Sequence, residues 1–214
     1  MDWVAVVQQL DRDLLAIEMI KSALVAQEKN INAIPLINPQ TGKPISKIDF
    51  KELASAGMII NQVSAEALIS LVANAIETFA LRLERHFSTK WEPFTNPRDD
   101  IEYAERTRQF RAINNIFKHQ EGYIEAASSR SARYLVDKGY FKDKTYLKSL
   151  GAKEIIPNIE LATYEAFAHM YEICNKLANI QDPRTTTQGT ELIKSLREKV
   201  IYEILQPALP PTSS

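Results

Sequence analysis

The 214-residue chain holds one cysteine, Cys174, three histidines and six glycines. A single cysteine excludes an internal disulfide framework, and the lack of a cysteine cluster excludes a thiolate zinc site. That usage predicts a reducing, cytoplasmic setting. The glycines build neither a Gly-x-Gly-x-x-Gly nor a Walker-type loop, so nucleotide cradles of those kinds are not expected. Charge of one sign is missing too. With 26 basic and 27 acidic residues the net charge is −1, which by itself points to neither nucleic acid nor a membrane surface.

The N-terminal "MDWVAVVQQLDRDLL" lacks the basic start and unbroken apolar stretch of a signal peptide. No run of about 18 apolar residues occurs, so no membrane span is expected. "AEALISLVANAIETFALRL" comes nearest, but Glu66, Asn74 and Glu77 recur along it. Alternating apolar and polar residues are nearly absent, which argues against a substantial sheet.

What remains is helical periodicity in a composition that is 45% hydrophobic and 25% charged, enough to bury a sizeable core. Val6, Leu10, Leu14, Ile17, Ile20 and Leu24 step by threes and fours and predict a helix over 2–28. Residues 29–48, with three prolines and a glycine, predict a long loop, with a hairpin around "NPQTGKP" turned by Thr41-Gly42. Asp49 as N-cap and Gly57 as terminator predict a short helix, and Ser64 opens the longest one, about 64–90. Leu68, Leu71, Val72, Ile76, Phe79, Leu83 and Phe87 form its apolar face. Further helices are expected over 99–120, 158–180 and 187–205. Short helices stopped by Gly139 and Gly151 are expected between them. The whole predicts an all-α bundle of about five long helices plus short ones. One domain, 1–206, is expected, with a disordered tail at 207–214.

Within "RAINNIFKHQEGY" (111–123), Phe110, Ile113 and Phe117 make a narrow core-facing arc, which Ile124 would extend if the helix continued. Arg111, Asn115 and His119, spaced i, i+4, i+8, fall elsewhere, flanked by Arg108, Asn114 and Lys118. Arginine and lysine suit phosphate oxygens, histidine moves protons near neutrality, and an amide orients a substrate. Such a strip could cleave RNA without a metal or cofactor, the cations stabilising the developing phosphorane charge. Polar residues opposite an apolar arc are also what any surface helix shows. Charge segregation favours an anionic partner: residues 103–153 carry eleven basic and five acidic groups, +6, leaving −7 for the rest. Tyr123, Tyr134, Tyr140, Phe141 and Tyr146 interleave with these cations and could stack on bases, or simply pack. Arg130 and Arg133, in "AASSRSARY", are candidate RNA contacts, while the serines suit a phosphate site or an N-cap.

A helical domain whose late helix carries an arginine, then asparagine, then histidine resembles the HEPN superfamily of helical bundles. That resemblance implies a dimeric ribonuclease of a toxin–antitoxin or phage-defence system, with His119, Arg111 and Asn115 at its centre and an antitoxin as protein partner. The family motif places four to six residues between arginine and histidine. Here seven separate Arg111 from His119, and Arg82 and His86 are separated by three, so a non-catalytic relative also fits. The alternative is a non-enzymatic interaction or scaffold bundle. His86 suits a helix C-terminus. His169, with Glu165 and Glu172 at i−4 and i+3, has the spacing of a bundle metal ligand, but no second Glu-x-x-His accompanies it, so no metal site is expected.

Overall fold

Helix-forming residues dominate the computed structural model, which describes residues 3–44, 46–87 and 103–178. Its elements are α1 (Trp3–Asn32), α2 (Lys47–Phe87), α3 (Ala104–Gln120), β1 (Tyr123–Ile124), α4 (Arg130–Asp137), β2 (Thr145–Tyr146), a 3-10 turn (Leu147–Ser149), α5 (Ala152–Ile155) and α6 (Ile159–Ala178). The protein is an all-α bundle with one two-residue antiparallel pair, Tyr123 opposite Tyr146 and Ile124 opposite Thr145. The expected helix at 187–205 and the tail at 207–214 lie outside the described residues.

Two boundaries differ from expectation. Asp49 lies inside α2 and not at its start, and Gly57 stops nothing, because one helix runs unbroken through both over 41 residues. A Cβ at Gly57 would meet no atom within 4 Å, so this glycine has neither a close neighbour nor a turn to serve. It lowers helix propensity locally, and the rest of α2 outweighs it. The loop is shorter than expected, 33–46, but hairpin-like. Ile37 and Pro44 form an isolated bridge, and the Asn38 side chain accepts from the backbone of Gln40 and Thr41 at 2.9 and 3.2 Å. The second half of α2 follows the expected stripe in part. Val72, Ile76, Phe79 and Leu83 are fully buried, whereas Leu68 and Leu71 are half-buried beside a buried Ile69.

The described chain divides into two compact units. One comprises residues 3–19 of α1, 74–87 of α2, 103–108 and 160–178. Val6, Leu10 and Leu14, Phe79 and Leu83, and Tyr164, Phe167 and Tyr171 make its core, which also encloses Cys174. Arg82 reaches Asp13 at 2.8 Å, and the Tyr171 hydroxyl donates to Asp11. The other unit comprises residues 20–73 (45 aside) and 109–159. Its core gathers Ile69 and Val72, Phe110, Ile113 and Ile116, Leu135, Leu147 and Ile156.

In this second unit α3 ends abruptly. Glu121 and Gly122 take φ of +50° and +88°, and the Gly122 N–H returns to the Ile116 carbonyl at 3.1 Å. A Cβ on Gly122 would lie 3.1 Å from Lys148 Cγ, so the turn needs glycine on both counts. The stop directs Ile124 into β1, where it is buried as a strand residue and not as an extension of the helical arc.

By length and composition, one helix among the described residues could cross a membrane, over Phe50–His86. Its face from Ala65 to Leu83 is buried in protein.

Candidate functional site

α3 is covered around most of its circumference. Phe110, Ala112, Ile113, Asn114, Ile116 and Phe117 are all buried, a much wider arc than the apolar residues alone define. What is left in the second unit is a narrow strip of Arg111, Asn115, Lys118 and His119. The first two are half-buried and the last two exposed. Asn114 therefore departs from expectation. It lies about 100° on from Ile113, still within the covered arc. There its Oδ1 accepts the Ser70 hydroxyl of α2 at 3.0 Å, with the side chain wholly out of water. Adjacent asparagines thus do different things. Asn115 stays on the strip, but its Nδ2 donates to Ser131 Oγ of α4 at 3.1 Å.

The serines of "AASSRSARY" are committed inside the unit. Ser129 is the N-cap of α4, its hydroxyl accepting from Ala132 N–H at 3.1 Å. Ser128 accepts from Gln120 Nε2 at 2.7 Å and donates to the Glu125 carbonyl. Arg130 and Arg133 are exposed, while Ala132 and Leu135 on the opposite side of α4 are buried. The structure thus joins α3 to α4 through Asn115 and leaves Lys118, His119, Arg130 and Arg133 in water. All four belong to the second unit.

Arg108 belongs to the first unit, where its guanidinium lies 3.5 Å from Glu105. Beside it, Thr107 Oγ1 is 2.8 Å from the Ala104 carbonyl and 2.9 Å from His169 Nδ1. A hydroxyl that donates to the carbonyl receives Nδ1–H from the imidazole. Burial, with Arg108 and Lys176 nearby, lowers the pKa of His169 to about 3, so the ring is neutral at ordinary pH. Glu165 pairs with Arg106, and Glu172 Oε1 with Lys176 at 3.3 Å. Each carboxylate is turned to a cation, and no group of three ligating side chains gathers among the described residues. His86 lies with Arg85 in the last turn of α2, the dipole-favoured end.

Among the described residues, the least protected part lies elsewhere. From Phe50 to Ser64 of α2 no side chain is buried, and Met58, Ile59 and Val63 are 68, 59 and 59% exposed. Ile20 and Val25 on α1, and Leu36 and Ile37 in the loop, are exposed as well. A signal was present in the sequence, since residues 53–65 carry no charge. Periodicity alone reads such a stretch as core. No family model matches the chain, and neither curated proteins nor solved structures show a match to it.

Proposed function

We propose that this chain is a non-enzymatic helical interaction protein that associates with other protein through residues 20–63. One observation carries the reading: the run of α2 over 53–64, which is uncharged and has no buried side chain. Exposed apolar area of this extent marks association surfaces in soluble proteins. Asn115 on the strip and the buried Asn114 beside it are both engaged by serines of the same chain, which suits a structural use of the amides better than a substrate-orienting one.

The test combines two assays on the full chain. Met58→Glu with Val63→Glu should abolish protein association, and incubation with RNA should yield no cleavage. RNA cleavage that His119→Ala removes without changing the unfolding curve would overturn the reading in favour of a HEPN-type ribonuclease.

A second reading has its own support. Lys118, His119, Arg130 and Arg133 are exposed cationic or titratable groups on two helices tied by Asn115 and Ser131. They fit an anionic partner such as RNA held by phosphate contacts without chemistry. This reading expects RNA retention that weakens steeply with salt and drops on Arg133→Glu.

A further inference from the structure

On α2, Leu53, Gly57, Ile60, Gln62 and Ser64 are half-buried, and all but Gln62 fall on one line at steps of four, three and four. Apolar residues continue past this line on both flanks. Phe50, Ala54 and Met58 are exposed on one, Ala56 and Val63 on the other. At about 100° per residue, these positions make an arc wider than half the circumference, apolar apart from Ser64 and the exposed Asn61. Lys51, Glu52, Ser55, Gln62 and Glu66 take the remaining sector, together with Ile59. A helix with so wide an apolar arc buries it against neighbours on more than one side, and here both flanks are wet.

Building on the interaction reading above, we infer that the missing neighbour is a second copy of this chain, its own residues 20–63 laid across these flanks. The area is sufficient. Among the described residues, nine large apolar side chains from Ile20 to Val63 are exposed, between 38 and 68%. At about half exposure they offer roughly 700 Å² per copy, close to the share each partner gives to a standard interface. The charge pattern fits self-association. A two-fold axis sets the uncharged stretch 53–65 against itself, so no ion is stripped of water at the centre, and the charges of Lys21, Lys43, Lys51 and Glu52 are left to the rim. A lipid bilayer fits less well. The wet residues 50–64 extend about 22 Å, short of the ~30 Å hydrocarbon core, and a longer span would need the turns in which Ala65, Ile69, Val72 and Ala73 are buried in protein.

Sedimentation equilibrium of the full chain should give twice its 24.3 kDa mass at micromolar concentration. Met58→Glu with Val63→Glu should halve that mass with the helical circular dichroism retained. Leu81→Glu, at a 65%-exposed leucine outside the segment, should leave the dimer intact. As a check that does not depend on the charged variants folding, nitroxides at Asn61→Cys should show intermolecular dipolar coupling. A wild type that stays monomeric throughout, or binds neutral lipid vesicles as a monomer, overturns the second copy. The interaction reading then survives only if another protein binds and the same double substitution abolishes it. A dimer that persists in that double variant, or shows no coupling at residue 61, overturns the location.

Discussion

Asn115 of α3 donates through its side-chain amide to the hydroxyl of Ser131 on α4, 3.1 Å away. It is the second of two neighbouring amides, and it faces the basic strip while serving the fold. Asn115→Ala and Ser131→Ala should each cost about 1 kcal/mol in urea unfolding. Because they share one bond, the double variant should cost less than the sum, with a coupling of about 0.5–1 kcal/mol. Additive losses would mean that this bond contributes nothing in solution.

Asn114 makes the larger commitment. Ser70 donates to its Oδ1, and the amide is buried. Removing the hydroxyl with Ser70→Ala leaves an unsatisfied acceptor, at a cost of roughly 1–3 kcal/mol. Adding Asn114→Leu removes the stranded polar group and should restore part of that loss. Further destabilisation by the second change would show that the site has no room for an apolar side chain.

Gly57→Ala should stabilise the chain. The position is helical, its φ is not positive, and a Cβ there meets nothing within 4 Å. Alanine in place of glycine inside a helix is worth roughly 0.5–1 kcal/mol. That corresponds to a rise of about 1–4 °C in Tm for a chain of this size. A fall in Tm would mean that the backbone at 57 approaches another helix closely in solution, as a dimer interface could require.

His169 makes stability depend on pH. Its pKa is lowered to about 3 in the folded protein, against 6.5 for an ordinary histidine. Between those values the unfolded chain binds a proton that the folded chain does not, so stability rises with pH across this window and falls on acidification. The slope from this one group approaches about 1.4 kcal/mol per pH unit at most. Urea unfolding between pH 4 and 7 should show a shallower slope for His169→Gln than for the wild type, and equal slopes would refute the assignment.

The bundle was legible because helices with one buried face leave a three-four spacing in the sequence, and α1 and α6 lie close to where that spacing puts them. Three features were not. Gly57 has the chemistry of a stop, but a local signal of about 1 kcal/mol does not break a helix whose neighbouring turns are sound. Asn114 looked solvent-facing because an apolar arc records which residues are greasy. It does not record how far the neighbouring helices wrap around, and Ser70 lies 44 positions away in the chain. Ile20 and Leu24 continue the stripe of Val6, Leu10 and Leu14, yet Ile20 is 38% exposed while those three are buried. A stripe gives the direction of a face and says nothing about whether anything covers it. The site residues divide in the same way. Arg111, Asn115 and His119 share the strip that their spacing implies, but the engagement of Asn115 by Ser131 required the third dimension.

Cys174, wholly enclosed by the first unit's core, is the chain's one thiol. A thiol-selective alkylating reagent can therefore reach the sulfur only during moments when this core opens. The rate of that labelling is a stopwatch for the breathing of this unit, readable by mass spectrometry without adding any probe. Exchange at residues 20–63, followed alongside, would then tell whether the exposed segment loosens in step with it or on its own schedule.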